Sequence, residues 1–509
     1  MQKKHYILIA FILAKFILNY ALISPEYDLQ RDEYLHLDQG KHLAWGYISV
    51  PPFTSWISYL INFLGEGYFW VKFFPALFGA LTMIVVWCTT EKLKGGVFAL
   101  VLAQVAVLLS VILRINILYQ PNSFDIFFWS LSYYCIISYI HSNHVKWFYA
   151  FAVALGFGIL SKYNIILLVA GLAPALLLSR ERKIFLNKHF YGCILLVMLM
   201  VLPNFMWQYQ NDFPTARQLQ ELKRTQLVNV NRLDFLKDQL LFFSGAITII
   251  VAAFIGFFVY PPFKKYRFLF WAFVFTLSLF ILLKAKSYYA IGLYPFLLPF
   301  GAVYCEQLLS NKRRRILRPA LFVLVVALSL PLIFIAFPYQ SPQKIIDNPK
   351  LYQSLGLLRW EDGKEHNLPQ DFADMKGWKE LASAVDSIYT LISDQEHTLV
   401  LCDNYGQAGA INYYSGFKNI NAVSLNADYI NWVPLNKPIR HIILVQDAGD
   451  DDPVRKREAT LFQKVSLSWV NENVFSREIG TKVYLLENAT ADINQILRHE
   501  VEVEKKGEQ

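Results

Sequence analysis

Residues 6–24 read YILIAFILAKFILNYALIS, and residues 31–52 read RDEYLHLDQGKHLAWGYISVPP. The first stretch has the length and apolarity of a membrane helix, which needs roughly 20 residues. The second is a polar loop crowded with Asp, Glu, His, Lys and aromatic residues. Arg31-Asp32-Glu33 sets an acidic pair and an arginine where a membrane protein meets lipid head groups. Carboxylates so placed act as a general base or bind a cation. A reaction at the membrane surface is the first function to consider.

The rest of the chain supports a polytopic α-helical membrane protein. Of 509 residues, 55% are hydrophobic, 16% aromatic and only 17% charged, against about 25% charged in a soluble protein. Apolar runs predict about eleven spans, near 5–24, 69–90, 97–113, 124–140, 147–160, 163–178, 190–206, 239–259, 268–283, 290–308 and 319–337. The pair 147–178 is read as two short helices, broken near Gly156, Gly158 and Ser161-Lys162. The basic start at Lys3, Lys4 and His5 and the lack of a small-x-small site before Pro25 predict a retained signal-anchor.

Charge sets the expected orientation. The overall +9 divides into +16 for residues 1–338 and −7 for residues 339–509. The basic surplus lies in short loops at 91–94, 141–146, 180–188, 264–267 and 312–318, while 25–68 holds six acidic and two basic residues. By the positive-inside rule the N-terminus is cytoplasmic, and 25–68 and the C-terminal part are outside. The acidic C-terminal part argues against nucleic-acid binding.

From Pro338 onward the composition becomes that of a soluble α/β domain, so the predicted division is 1–338, with a catalytic loop at 25–68, and 339–509. Strands are expected at 397–402, 441–445 and 482–487 and an amphipathic helix at 377–392; residues 500–509 are expected to be a charged, frayed tail. The five cysteines form no disulfide framework or metal spacing. Walker, dinucleotide and Gly-x-Ser-x-Gly motifs are all absent. A transferase lacking a nucleotide site would draw an activated donor from the membrane.

Other candidate residues share the predicted outer side. Asp125 follows Pro121-Asn122-Ser123; a carboxylate favoured by the helix dipole explains it equally well. Ser161-Lys162-Tyr163-Asn164 and Lys286-Ser287-Tyr288-Tyr289 are compact polar groups at span ends. Their lysines could clamp a phosphate or simply anchor at the interface beside an aromatic belt. Asp32 and Glu33 could likewise be a solvated cap.

The order of these motifs resembles the bacterial branch of the dolichyl-phosphate-mannose protein mannosyltransferases, GT-C glycosyltransferases related to the lipid A aminoarabinose transferase. The matching residues are Arg31-Asp32-Glu33-Tyr34, Gly46-Tyr47 with Pro51-Pro52, Gln120-Pro121 with Asp125, and Leu160-Ser161-Lys162-Tyr163. Pro203-Asn204, Trp207-Gln208, Phe213-Pro214-Thr215 and Lys286-Ser-Tyr-Tyr289 follow. Asp403-Asn-Tyr-Gly406 with Ala408-Gly409-Ala410 extends the likeness into the C-terminal domain.

The resemblance implies transfer of a sugar from a polyprenyl phosphate to a lipid, glycan or protein on the outer face of a bacterial inner membrane. It implies Asp32 as base, with Glu33 supporting it or orienting the acceptor. Arg31, Lys162 and Lys286 would stabilise the departing phosphate, Asp125 would contact sugar or acceptor, and Tyr34, Tyr163, Tyr288 and Tyr289 would bind substrate. Val50 stands where relatives carry a polar residue before Pro-Pro, and the aminoarabinose group has a Glu-Lys near this point. Metal-independent activity is therefore expected, without aminoarabinose as the sugar. Two rivals remain: a transporter or flippase of lipid-linked sugars, with ionisable residues inside its spans, and a non-catalytic glycan-binding scaffold.

Overall fold

Apolar helices and a small mixed sheet account for the chain, whose computed structural model describes residues 3–449, 452 and 455–506. Two compact units emerge. One comprises Met1–Ile23, Ala44–Ile57 and Phe63–Tyr339, and the other Ser24–Leu43, Ser58–Asn62 and Gln340–Gln509. Residues 24–43 of the polar loop thus belong with the C-terminal residues.

In the first unit every predicted apolar window contains a helix. Four helices are long and apolar enough to cross a membrane: Lys4–Ala21, Tyr68–Lys92, Lys188–Gln210 and Lys312–Ala336. Counting each of three bent pairs as one span gives seven, against about eleven expected. Three of the four uncounted windows fall short in length, and the fourth lies in Pro121–Ser142, which has 22 residues but is rich in Ser and Tyr and carries Asp125. Val97–Leu108, Lys146–Ser161 and Phe268–Leu282 have 12, 16 and 15 residues, and at 1.5 Å per residue each falls short of a core of about 30 Å. The break between Lys146–Ser161 and Ile166–Leu177 falls at Lys162, whose backbone is extended (φ −158°, ψ 129°). Gly156 and Gly158 stay inside the first of these helices.

One charge lies where hydropathy hides it. Lys15, 2% exposed on the first helix, donates to Asn19 Oδ1 at 3.1 Å and Asn116 Oδ1 at 2.8 Å. Asn19 Nδ2 donates to the Asn116 carbonyl, and Asn116 Nδ2 to Ser123 Oγ. Lys15 therefore holds the turn that leads into the Pro121–Ser142 helix. Lys15→Met removes the donor from two buried amide oxygens, each worth about 1–3 kcal/mol when orphaned. A fall of the melting midpoint of the purified protein by several degrees is expected, and an unchanged midpoint would refute the role.

The second unit is built on a five-stranded sheet among the described residues, ordered β2-β1-β3-β5-β4. The strands are β1 (Thr398–Cys402), β2 (Ala422–Ser424), β3 (His441–Gln446), β4 (Phe462–Val470) and β5 (Lys482–Ala489). β1 runs parallel to β2 and β3, and β5 runs antiparallel to β3 and β4. Leu399, Val423, Ile442, Leu444, Tyr484 and Leu486 form its core with Ile493 and Leu497 of the Ile493–Lys506 helix. The charged tail is thus helical to Lys506, and 507–509 lie outside the described residues. The expected helix at 377–392 is Trp378–Thr390. β2 and β4 were not anticipated: β2 has three residues, and β4 is a largely solvated edge strand.

Candidate functional site

The acidic loop is helical from Arg31 to Gln39, and all of it from Glu33 onward is buried. Its start is a capping box. Gln30 Oε1 accepts from the Asp32 N–H at 2.9 Å, while Glu33 Oε2 accepts from the Gln30 N–H at 2.7 Å. Such reciprocal bonds satisfy amide groups that the first helical turn leaves unpaired. Glu33, 0% exposed, is therefore engaged in holding the turn.

Asp32 is half-buried and accepts the Tyr405 hydroxyl on Oδ1 at 2.7 Å. The Arg31 guanidinium lies 4.4 Å from the centroid of the Tyr405 ring. The Arg31 N–H donates to the Asp374 carbonyl at 3.1 Å. The Asp374 carboxylate accepts from Gln30 and Arg477. Farther along, Asp38 accepts from Tyr429 and Asn412, and Gln39 donates to Asp428. Tyr34, expected in a sugar pocket, is fully buried against Trp378, Tyr413 and Tyr414.

The Tyr405–Tyr414 helix explains two glycines of the C-terminal motif. A Cβ at Gly406 would lie 2.6 Å from Arg31 Cγ, and one at Gly409 would lie 2.6 Å from Tyr34 Cβ. Only glycine allows this approach. Asn404 caps the same helix, fixing Tyr405 in its first turn.

Burial pushes the Asp374 carboxyl up to about 7, against the pull of Arg477 and Arg31. Partial burial, then Glu478 and Asp403, push Asp447 up to about 6. Both values exceed the ordinary 3.8, so the folded state holds more protons between about pH 4 and 7. Stability from these groups is complete below that window and falls as pH rises through it. The melting midpoint of the whole chain should drop between pH 5 and 7.5. Asp447→Asn should raise the midpoint at pH 7.5 by roughly 2 °C and leave it unchanged at pH 4; an equal shift at both would exclude titration of Asp447.

The remaining candidates lie in the first unit. Asp125, buried near the start of the Pro121–Ser142 helix, accepts Trp129 Nε1–H at 3.0 Å and sits within electrostatic reach of Lys162. Lys162 Nζ donates to Asn122 Oδ1 at 2.6 Å and lies 4.1 Å and 5.1 Å from the Tyr289 and Tyr288 ring centroids. Lys286 is near enough for like-charge repulsion. Asp125, Lys162, Lys286, Tyr288 and Tyr289 thus form one polar cluster, completed by Asn122 and by Asn164, which donates to the Tyr289 carbonyl.

Tyr163 belongs to a neighbouring network. It donates to Asn204 at 2.9 Å and accepts from Gln208, which also donates to Thr215. Tyr163 thereby joins the Pro203-Asn204, Trp207-Gln208 and Phe213-Pro214-Thr215 segments.

Sequence reasoning missed Tyr405, Asp374 and Asn122 as partners. Tyr405 stood inside a quoted motif, but nothing local marks its bond to Asp32.

Comparison with known proteins agrees with this architecture. Residues 49–207 match the family dolichyl-phosphate-mannose-protein mannosyltransferase, a stretch that includes Asp125, Lys162 and Tyr163. The lipid A galacturonosyltransferase RgtD of Rhizobium johnstonii is 20% identical over 202 residues, 39% of this chain and 42% of that protein. The match therefore spans less than half of the curated relative. The crystal structure of ArnT from Cupriavidus metallidurans bound to undecaprenyl phosphate superposes with a TM-score of 0.63 at 14% identity, covering 94% of this chain and 97% of that one. The apo oligosaccharyltransferase of Archaeoglobus fulgidus gives a TM-score of 0.51 at 12% identity, over 88% and 70% of the two chains. Residues 49–207 thus carry the match to the mannosyltransferase family, and the chain shares the fold of ArnT over nearly its whole length.

Proposed function

We propose that this protein is a multi-pass glycosyltransferase that moves a hexose or pentose from a polyprenyl-phosphate donor to a lipid, glycan or protein acceptor. The family match supports the reaction class. RgtD, named for galacturonosyl transfer to lipid A, and ArnT, crystallised with undecaprenyl phosphate, support a cell-envelope acceptor and a polyprenyl donor. The charge asymmetry supports about eleven spans in a bacterial inner membrane, a cytoplasmic N-terminus, and residues 25–68 and 339–509 on the periplasmic or extracellular face.

One observation carries the reading of the chemistry: Asp32 is fixed at the first turn of a buried, capped helix by the Tyr405 hydroxyl. Asp32 removes the proton from the acceptor hydroxyl as its oxygen attacks the anomeric carbon. The bond from that carbon to the phosphate oxygen breaks, the configuration inverts, and the polyprenyl phosphate leaves with the electron pair. Lys162, with Lys286 beside it, opposes the negative charge that develops on the phosphate. Glu33 and Arg31 act through others, Glu33 on the helix start and Arg31 on Tyr405. Asp125 sets the charge around Lys162, and Tyr288 and Tyr289 form the apolar side of the same cluster.

Mass analysis of lipids and glycans from cells lacking the protein tests this function. A sugar that disappears, with its polyprenyl-linked form accumulating, and that returns with the wild-type gene is the expected outcome. An unchanged glycan and lipid profile would overturn the reading. No metal enters this mechanism, so activity of the purified enzyme should survive EDTA dialysis; loss restored by a divalent cation would place a metal in the site.

A further inference from the structure

The Pro121–Ser142 and Lys146–Ser161 helices enclose a second feature. A groove of about 420 Å³ is lined by Phe128, Cys135, Trp147, Tyr149, Val153 and Phe157, among others, and is almost wholly apolar. Its rim is basic. Lys92 Nζ lies 4.6 Å from the centroid of the Trp147 ring, and Lys146 Nζ lies 5.3 Å from it. His189 Nδ1 is 3.1 Å from the Tyr149 hydroxyl. Among the described residues neither lysine is within ion-pair distance of a carboxylate.

An apolar groove in a membrane helix bundle, with aromatic rings and uncompensated cations at its mouth, matches a diacyl lipid with an anionic head. Basic pockets between membrane helices bind such head groups, and Trp and Tyr favour the level where chain meets head group. The rim is distinct from the Lys162 cluster. Lys146 begins and Ser161 ends one 16-residue helix, which places Lys162 about 24 Å from the rim by helical rise. We infer that this groove binds an anionic phospholipid, one acyl chain between the two helices and the phosphate at Lys92 and Lys146. The site is separate from that of the polyprenyl donor.

The test is native mass spectrometry of the full-length protein in nanodiscs containing equal phosphatidylglycerol and phosphatidylethanolamine. Wild type should retain phosphatidylglycerol roughly thirtyfold over phosphatidylethanolamine, since the two lysines contribute about 1 kcal/mol each. Lys92→Gln with Lys146→Gln should bring the ratio near one. Val153→Trp, which fills the groove and spares the charges, should lower the retention of phosphatidylglycerol at least threefold. Equal retention of both lipids by wild type, or unchanged phosphatidylglycerol in both variants, would overturn the inference. So would displacement of the bound lipid by equimolar undecaprenyl phosphate, because the groove would then belong to the donor.

Discussion

An Asp32→Asn enzyme is expected to transfer sugar about 10²–10⁴ times more slowly than wild type, the usual contribution of a positioned general base. The substitution is conservative in structure. Asn keeps an oxygen for the Tyr405 hydroxyl, and the Gln30–Glu33 capping bonds do not involve the Asp32 side chain. The melting midpoint should therefore stay at the wild-type value while the initial rate collapses. Two companion variants separate chemistry from positioning. Tyr405→Phe removes a single hydrogen bond and should slow transfer about tenfold, in line with the roughly 1–1.5 kcal/mol such a bond contributes. Glu33→Gln weakens the cap and should lower stability by about 1 kcal/mol with a smaller effect on rate. If Glu33→Gln lost as much rate as Asp32→Asn at unchanged stability, the base would be Glu33.

These variants follow from what a single sequence can and cannot display. Span positions were legible because hydropathy is local, and all eleven windows fold as helices. Their status as spans was less legible, since helix length depends on where the backbone breaks. Lys162 marks one such break. Lys15 escaped notice because one lysine barely alters the mean hydropathy of a 19-residue run, yet its ammonium joins two distant segments. Asp32 stood out through its acidic neighbour, whereas Tyr405 did not, because their bond spans 373 residues. Gly406 and Gly409 were visible as a motif, and only the packing of Arg31 and Tyr34 supplies the reason. Tyr34, which the resemblance places in the sugar pocket, is buried among Trp378, Tyr413 and Tyr414, contacts that no local pattern displays.

Lys162→Met tests the other half of the proposed chemistry. The ammonium is held by Asn122 and rests on the faces of Tyr288 and Tyr289, so it is oriented before any donor arrives. A preoriented cation aimed at developing charge acts mainly in the transition state, and removing such a group typically costs 10²–10³ in kcat. The donor phosphate already carries charge in the ground state, so KM for the donor should also rise, by a smaller factor. Asn122→Ala, which frees the ammonium without removing it, should lose about tenfold in kcat, consistent with one charge-assisted hydrogen bond. Lys162→Arg keeps the charge but replaces a compact ammonium by a planar fork. That fork can stack on Tyr289 but moves the charge off the point held by Asn122 Oδ1, so activity should lie between wild type and Met. Full kcat in Lys162→Met with only KM raised would make Lys162 a ground-state binding group and pass charge stabilisation to Lys286. Unchanged kcat and KM would remove Lys162 from the site and leave it as an interfacial anchor.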